Sequence, residues 1–142
     1  MSEPLRFPFH TVRLPLLGTM RRPVVLATLA GPTRNAKALF LIDSGADVSL
    51  VPHELGRLLG LSRAGAPQGL CRGIGRGAVG YSLCPVGLQI GHLRVRIRIG
   101  WCEADGFPAL LGRLDVFDLL DIEFCQSSNR IVLRPAGPAD RP

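Results

Sequence analysis

Lysine is almost missing from this chain: Lys37 is the one lysine among 17 basic residues, so the net charge of +6 is carried almost wholly by arginine. The arginines are scattered, no basic run occurs, and the single Tyr81 and single Trp101 leave few aromatic surfaces for base stacking. Nucleic-acid binding needs both a charged track and stacking platforms, so no nucleic-acid partner is expected, and an arginine bias of this kind is also what genomic base composition alone produces. Long apolar runs are absent too. Glycine and proline interrupt every hydrophobic stretch well short of the ~20 residues that span a bilayer, so no membrane segment is expected. The opening MSEPLRFPFHTVRLP lacks an apolar core behind a basic start, which argues against a signal peptide. The expected setting is cytoplasmic, unless the chain is excised from a larger or membrane-anchored precursor. Cysteine is sparse and dispersed: Cys71, Cys84, Cys102 and Cys125 form no C-x-x-C pair and have no histidine at ligand spacing. Free thiols are expected, with no metal and no cofactor.

What is present is a chain of 142 residues with 46% apolar content, enough for one domain with a real core. We read residues 1–142 as a single domain, ordered from about 9 to 135, with flexible tails at 1–8 and 136–142. Arg22–Gly31 is β-branched and apolar, GPTRN turns the chain, and AKALFLID returns it, which predicts a β-hairpin whose second strand delivers Asp43. Pro52 followed by HELGRLLG predicts a short helix ending at Gly60. Further on, Val86, Leu88 and Ile90 alternate, Gly91-His92 makes a tight turn, and Leu93, Val95, Ile97 and Ile99 alternate with Arg94, Arg96 and Arg98. That pattern is a hairpin with one apolar and one basic face. The three arginines form either a stripe for an anionic ligand or a solvated strand face, and the solvated face is the better-supported reading. RLDVFDLLD predicts one more short helix and IEFCQSSNRIVLRP a last hairpin. Many short strands with one or two brief helices indicate an all-β barrel or sandwich.

Two stretches carry candidate chemistry. GIGRGA, Gly73–Ala78, matches a dinucleotide-binding fingerprint on paper, but no helix follows it and Pro85 interrupts the next segment, so that reading fails. A flexible hairpin tip explains the glycines. The other stretch is LFLIDSGADVSLVP, Leu39–Pro52. Asp-Ser-Gly alone is a common turn, yet Asp43 follows four apolar residues and so ends a buried strand, where a carboxylate has to be hydrogen-bonded or functional.

LFLIDSGADVSLV resembles the active-site sequence of retropepsin-like aspartic proteases. GIGRGAVGY resembles the glycine-rich flap of that family, and ALLGRLD resembles the apolar-Gly-Arg-Asp run before its C-terminal helix. The resemblance spans roughly Pro23 to Pro135, with three motifs in the right order. Viral members lack the extra helix at Pro52–Leu59 and differ in the last hairpin, which puts this chain nearer the cellular, bacterial branch. The resemblance implies a closed acid-protease barrel and an aspartic endopeptidase. Asp43 is the catalytic residue it implies, with Ser44, Gly45 and Ala46 supporting it, an ion pair between Asp47 and Arg113, and a substrate-binding flap of Gly73, Ile74, Gly75, Arg76 and Gly77. The chain carries a single Asp-Ser-Gly, and the place of a duplicated second copy is taken by Ala109–Gly112, with Gly112 where a second aspartate would stand. A C2 homodimer is therefore implied, in which two Asp43 carboxylates act on an extended peptide. The other reading is a catalytically inactive dimerisation or peptide-binding domain of the same fold.

Overall fold

Alternation of large aliphatic residues with small or polar ones builds a strand-dominated structure in the computed structural model, which describes residues 3–75 and 77–137. The central strands are β4 (Val24–Ala30), β5 (Asn35–Ile42), β6 (Ser49–Val51), β8 (Ala78–Ile90), β9 (Leu93–Cys102) and β10 (Ala109–Leu111). They hydrogen-bond in the order β4-β5-β10-β6-β9-β8, and a β4–β8 pairing closes them into a six-stranded barrel. The inward positions are those the period of two predicts. Val25, Ala27 and Leu29 of β4, Val86, Leu88 and Ile90 of β8, and Ile97 and Ile99 of β9 are all buried, while Arg94, Arg96 and Arg98 face out.

β7 (Gln68–Arg72) pairs with the first half of β8, so this hairpin leaves the barrel as a projecting arm. Helix α1 (His53–Leu59) follows β6 and stops at Gly60, whose φ of 77° is the left-handed conformation that ends helices. Helix α2 (Val116–Leu119) follows β10. The last hairpin, β11 (Leu120–Cys125) with β12 (Arg130–Pro135), places Ile131 and Leu133 in the core. All four cysteines are free, and burial pushes the Cys102 thiol up to about 11 and raises that of Cys84. Among the described residues no helix is long and apolar enough to cross a membrane.

The N-terminal segment departs from expectation. Residues Leu5–Phe7, expected within a flexible tail, form β1 and pair with β12 through Leu5↔Leu133 and Phe7↔Ile131. Three residues between prolines show no periodicity, and the open edge of β12 recruits them. Next, β2 (His10–Leu14) and β3 (Gly18–Arg22) make a hairpin that the pattern did not reveal, because neither of its faces is buried. It is tied down by Arg21, whose guanidinium donates to the Gln126 carbonyl at 3.0 Å.

Candidate active site

The end of β5 is held in place by a strand that arrives late in the chain. β10 inserts between β5 and β6, parallel to the first through Ala109↔Phe40 and antiparallel to the second through Leu110↔Leu50. Asp43, one residue past β5, donates its N–H to the Leu111 carbonyl at 2.9 Å. The loop after it is laced to the same segment: Arg113 N–H donates to Ala46 O and Leu114 N–H to Asp47 O, both at 2.8 Å. The buried Ser49 hydroxyl accepts the Gly112 N–H at 2.9 Å. A loop whose backbone groups are paired in this way presents its side chains in one geometry.

Asp43 is half-buried, and its Oδ1 accepts the Gly45 N–H at 2.9 Å. Ala46 N–H donates back to the Asp43 carbonyl at 3.2 Å, closing a tight turn in which Ser44 and Gly45 are exposed. One carboxylate oxygen is thus oriented by backbone, while the residue stays open to a cleft of about 330 Å³. Gly45, Ala46, Asp47, Val48, Leu50 and Leu110 form one wall of that cleft. The β7–β8 arm forms the other with Leu70, Cys71, Arg72, Gly73 and Tyr81. Among the described residues no cluster of His, Cys, Asp or Glu side chains is arranged to hold a metal.

Of the expected flap residues, Gly73 lines the cleft and Ile74 projects fully into solvent, while Gly75 and Gly77 have φ of 102° and 108° at the tip. Arg76 lies outside the described residues. The expected ion pair between Asp47 and Arg113 is not formed. Both residues are exposed, and Arg113 sits 5.5 Å over the Phe117 ring instead. An exposed pair gains little net attraction, and the two segments are already joined through the neighbouring backbone bonds, Arg113 N–H to Ala46 O and Leu114 N–H to Asp47 O. An acid close by in the same segment, Asp115, does take an arginine. Its carboxylate accepts the Arg98 backbone N–H at 2.8 Å and both Nε and NH2 of the same guanidinium at 2.9 Å. Hydrogen bonding to Arg98 holds the Asp115 carboxyl below its ordinary 3.8.

Residues that sequence reasoning missed form much of the cleft: Leu50, Leu70, Arg72, Tyr81 and Leu110. For Tyr81 a signal was available in two glycines. The ring lies across Gly69 of β7 and Gly100 of β9, where a Cβ would come within 2.4 Å and 3.0 Å of it. Arg63, also missed, secures the base of the arm. Its guanidinium lies 3.8 Å from the Trp101 ring centre and donates to Ser82 Oγ, Trp101 O and Cys102 O at 2.9–3.1 Å, with His53 Nδ1 at 3.3 Å. His53 and Trp101 therefore serve in packing, stacked at 5.6 Å.

Comparison with solved structures finds the same architecture in a retropepsin-like aspartic protease from Rickettsia conorii, at a TM-score of 0.65 and 16% identity over 92% of this chain and 91% of that one. The EIAV protease, complexed with the inhibitor HBY-793, aligns at a TM-score of 0.48 and 22% identity over 72% and 88% of the two chains. The sequence matches no family model and no curated protein. The chain has a retropepsin-like fold: a closed all-β barrel with two short helices.

Proposed function

We propose that this chain is an aspartic endopeptidase whose site is completed by a second copy of itself. The observation that carries the reading is Asp43: a half-buried carboxylate, oriented by the Gly45 N–H and opening into a cleft beneath a glycine-tipped arm. One chain supplies one such group, and activation of water for peptide hydrolysis in this way takes two.

In a twofold dimer the two Asp43 carboxylates face each other across the axis. At a separation of ~4 Å and an effective dielectric of ~20, two negative charges repel by about 4 kcal/mol. The pair therefore holds one proton between its members. The ionised carboxylate takes a proton from the attacking water while its protonated partner donates to the scissile carbonyl oxygen. Ser44 hydrogen-bonds across the dimer and holds the two turns rigid, Gly45 accepts the close approach of the substrate backbone, and the arm from Gly73 to Gly77 closes over an extended peptide and excludes water. Leu50 and Leu110 on one wall and Leu70 on the other offer the substrate side chains a hydrophobic surface.

The test is a peptide-library digest from acidic to neutral pH with the wild type and Asp43→Asn side by side. The variant is expected to lose cleavage by at least about a hundredfold while keeping its thermal unfolding and its association state. Undiminished cleavage rejects the mechanism; absence of cleavage by the wild type at every pH favours a peptide-binding domain without catalysis.

A further inference from the structure

On the side of the barrel built by β5, β4, β8 and β9, the outward residues fall into two cross-strand rows. One row reads Lys37, Thr28, Gln89, Arg94, and the next Asn35, Ala30, Gly87, Arg96. The middle of the second row has almost no side-chain bulk. A Cβ on Gly87 would lie 3.2 Å from that of Ala30, so the small pair leaves a floor, and a depression of about 390 Å³ opens over it, rimmed by Arg94 and Arg96.

The charge on this face is uncompensated. Of the three arginines that alternate on β9, Arg98 is neutralised by Asp115, whereas among the described residues Arg94 and Arg96 have no carboxylate within 4 Å. Neither row contains an acidic residue, and Lys37 adds a third exposed cation. Beside the rows, Leu26 and Leu39 pair across β4 and β5 and are about half exposed, at 53% and 50%.

We propose that this face is a docking surface for an acidic, extended stretch of polypeptide, gripped by Arg94 and Arg96 and independent of the chemistry at Asp43. Spacing decides the class of partner. Arg94 and Arg96 are two residues apart on one strand, about 7 Å, and Lys37 lies three strands away, about 14 Å. That spread is too wide for one carboxylate or phosphate, but side chains on one face of an extended peptide repeat at the same ~7 Å. Leu26 and Leu39 suit the apolar residues of such a segment, and the absence of any aromatic from the two rows leaves nothing for a nucleic-acid base to stack on. The solvated-face reading of the arginines accounts for their exposure but not for the cavity they rim or for the missing acids.

Fluorescence anisotropy with a labelled peptide of alternating Glu and Val tests the assignment, using Asp43→Asn protein so that the probe stays intact. Arg94→Glu/Arg96→Glu is expected to weaken binding about tenfold or more. Ala30→Leu, which fills the depression without changing charge, is expected to weaken it as well. Arg6→Glu/Arg13→Glu removes the same charge from exposed positions elsewhere and is expected to leave affinity nearly unchanged. Equal losses in the two charge variants would mean diffuse attraction and overturn the proposal. So would failure of the probe to bind, or tighter binding of a labelled single-stranded RNA that is lost in the same Arg94/Arg96 variant.

Discussion

Gly112 shows how a residue without a side chain governs the site. A Cβ there would fall 2.5 Å from the Val48 carbonyl and 2.8 Å from the Ala46 oxygen, both backbone atoms of the loop that carries Asp43. Backbone cannot swing aside as a flexible side chain can. Gly112→Ala is therefore expected to destabilise by about 1–3 kcal/mol, measured by denaturant unfolding, and to lower any Asp43-dependent cleavage in proportion to the displaced loop. Asp115 offers a second prediction. The residue sits at the centre of a γ-turn, with φ of 65° and ψ of −44° and Val116 N–H donating to Leu114 O at 2.7 Å, and Asn has the same size and branching as Asp, so Asp115→Asn removes the charge with little change of shape. Because the folded carboxyl titrates below its ordinary 3.8, its stabilisation is complete above that value and is lost as pH falls through the folded one. The variant should unfold more easily than wild type at neutral pH, with the difference vanishing in strong acid; a gap that persists there would contradict the ion-pair account. At this scale Asp43 was legible, since an acid ending an apolar strand is anomalous. The partner of Arg98 was not, because which acid an arginine meets is set by the packing of segments 17 residues apart in the chain.

Among the elements, the projecting arm depends on its base. The β7 end of the arm is pinned by Arg63, which bridges the loop before β7 to β8 and β9 through Ser82 and the carbonyls of Trp101 and Cys102. Arg63→Ala removes several charge-assisted hydrogen bonds and the stacking on Trp101, and is expected to cost about 2 kcal/mol or more in denaturant unfolding. Limited proteolysis should then cut first between Ser62 and Pro67, and unchanged protease resistance would show that the arm is held by its strand ladder alone. Hairpins with one wet and one dry face, such as β8–β9, are readable because the period of two is imposed by burial. The β2–β3 hairpin is exposed on both faces, and β1 is three residues long, so neither leaves a periodic trace.

For the molecule as a whole, the proposed shared site makes activity a matter of concentration. If two chains build one site, specific activity should fall on dilution below the dimer's dissociation constant, and sedimentation should find the active species to be a dimer. A ligand that bridges both chains would raise the melting temperature in step with protein concentration. Cleavage that stays strictly proportional to protein through a monomeric range would rule out the dyad.

The local facts were determined by the order of residues: which segments alternate, where glycine and proline turn the chain, and that Asp43 sits at the end of an apolar strand. These depend on contacts a few residues apart and on the solvent preference of each side chain. Closure of the barrel by β4 and β8, insertion of β10 between β5 and β6, and the convergence of Leu50, Leu70, Tyr81 and Leu110 on one cleft were decided only in three dimensions. Each joins segments far apart in the chain, and such pairings follow from competition among all strand edges for partners, which no single stretch of sequence contains.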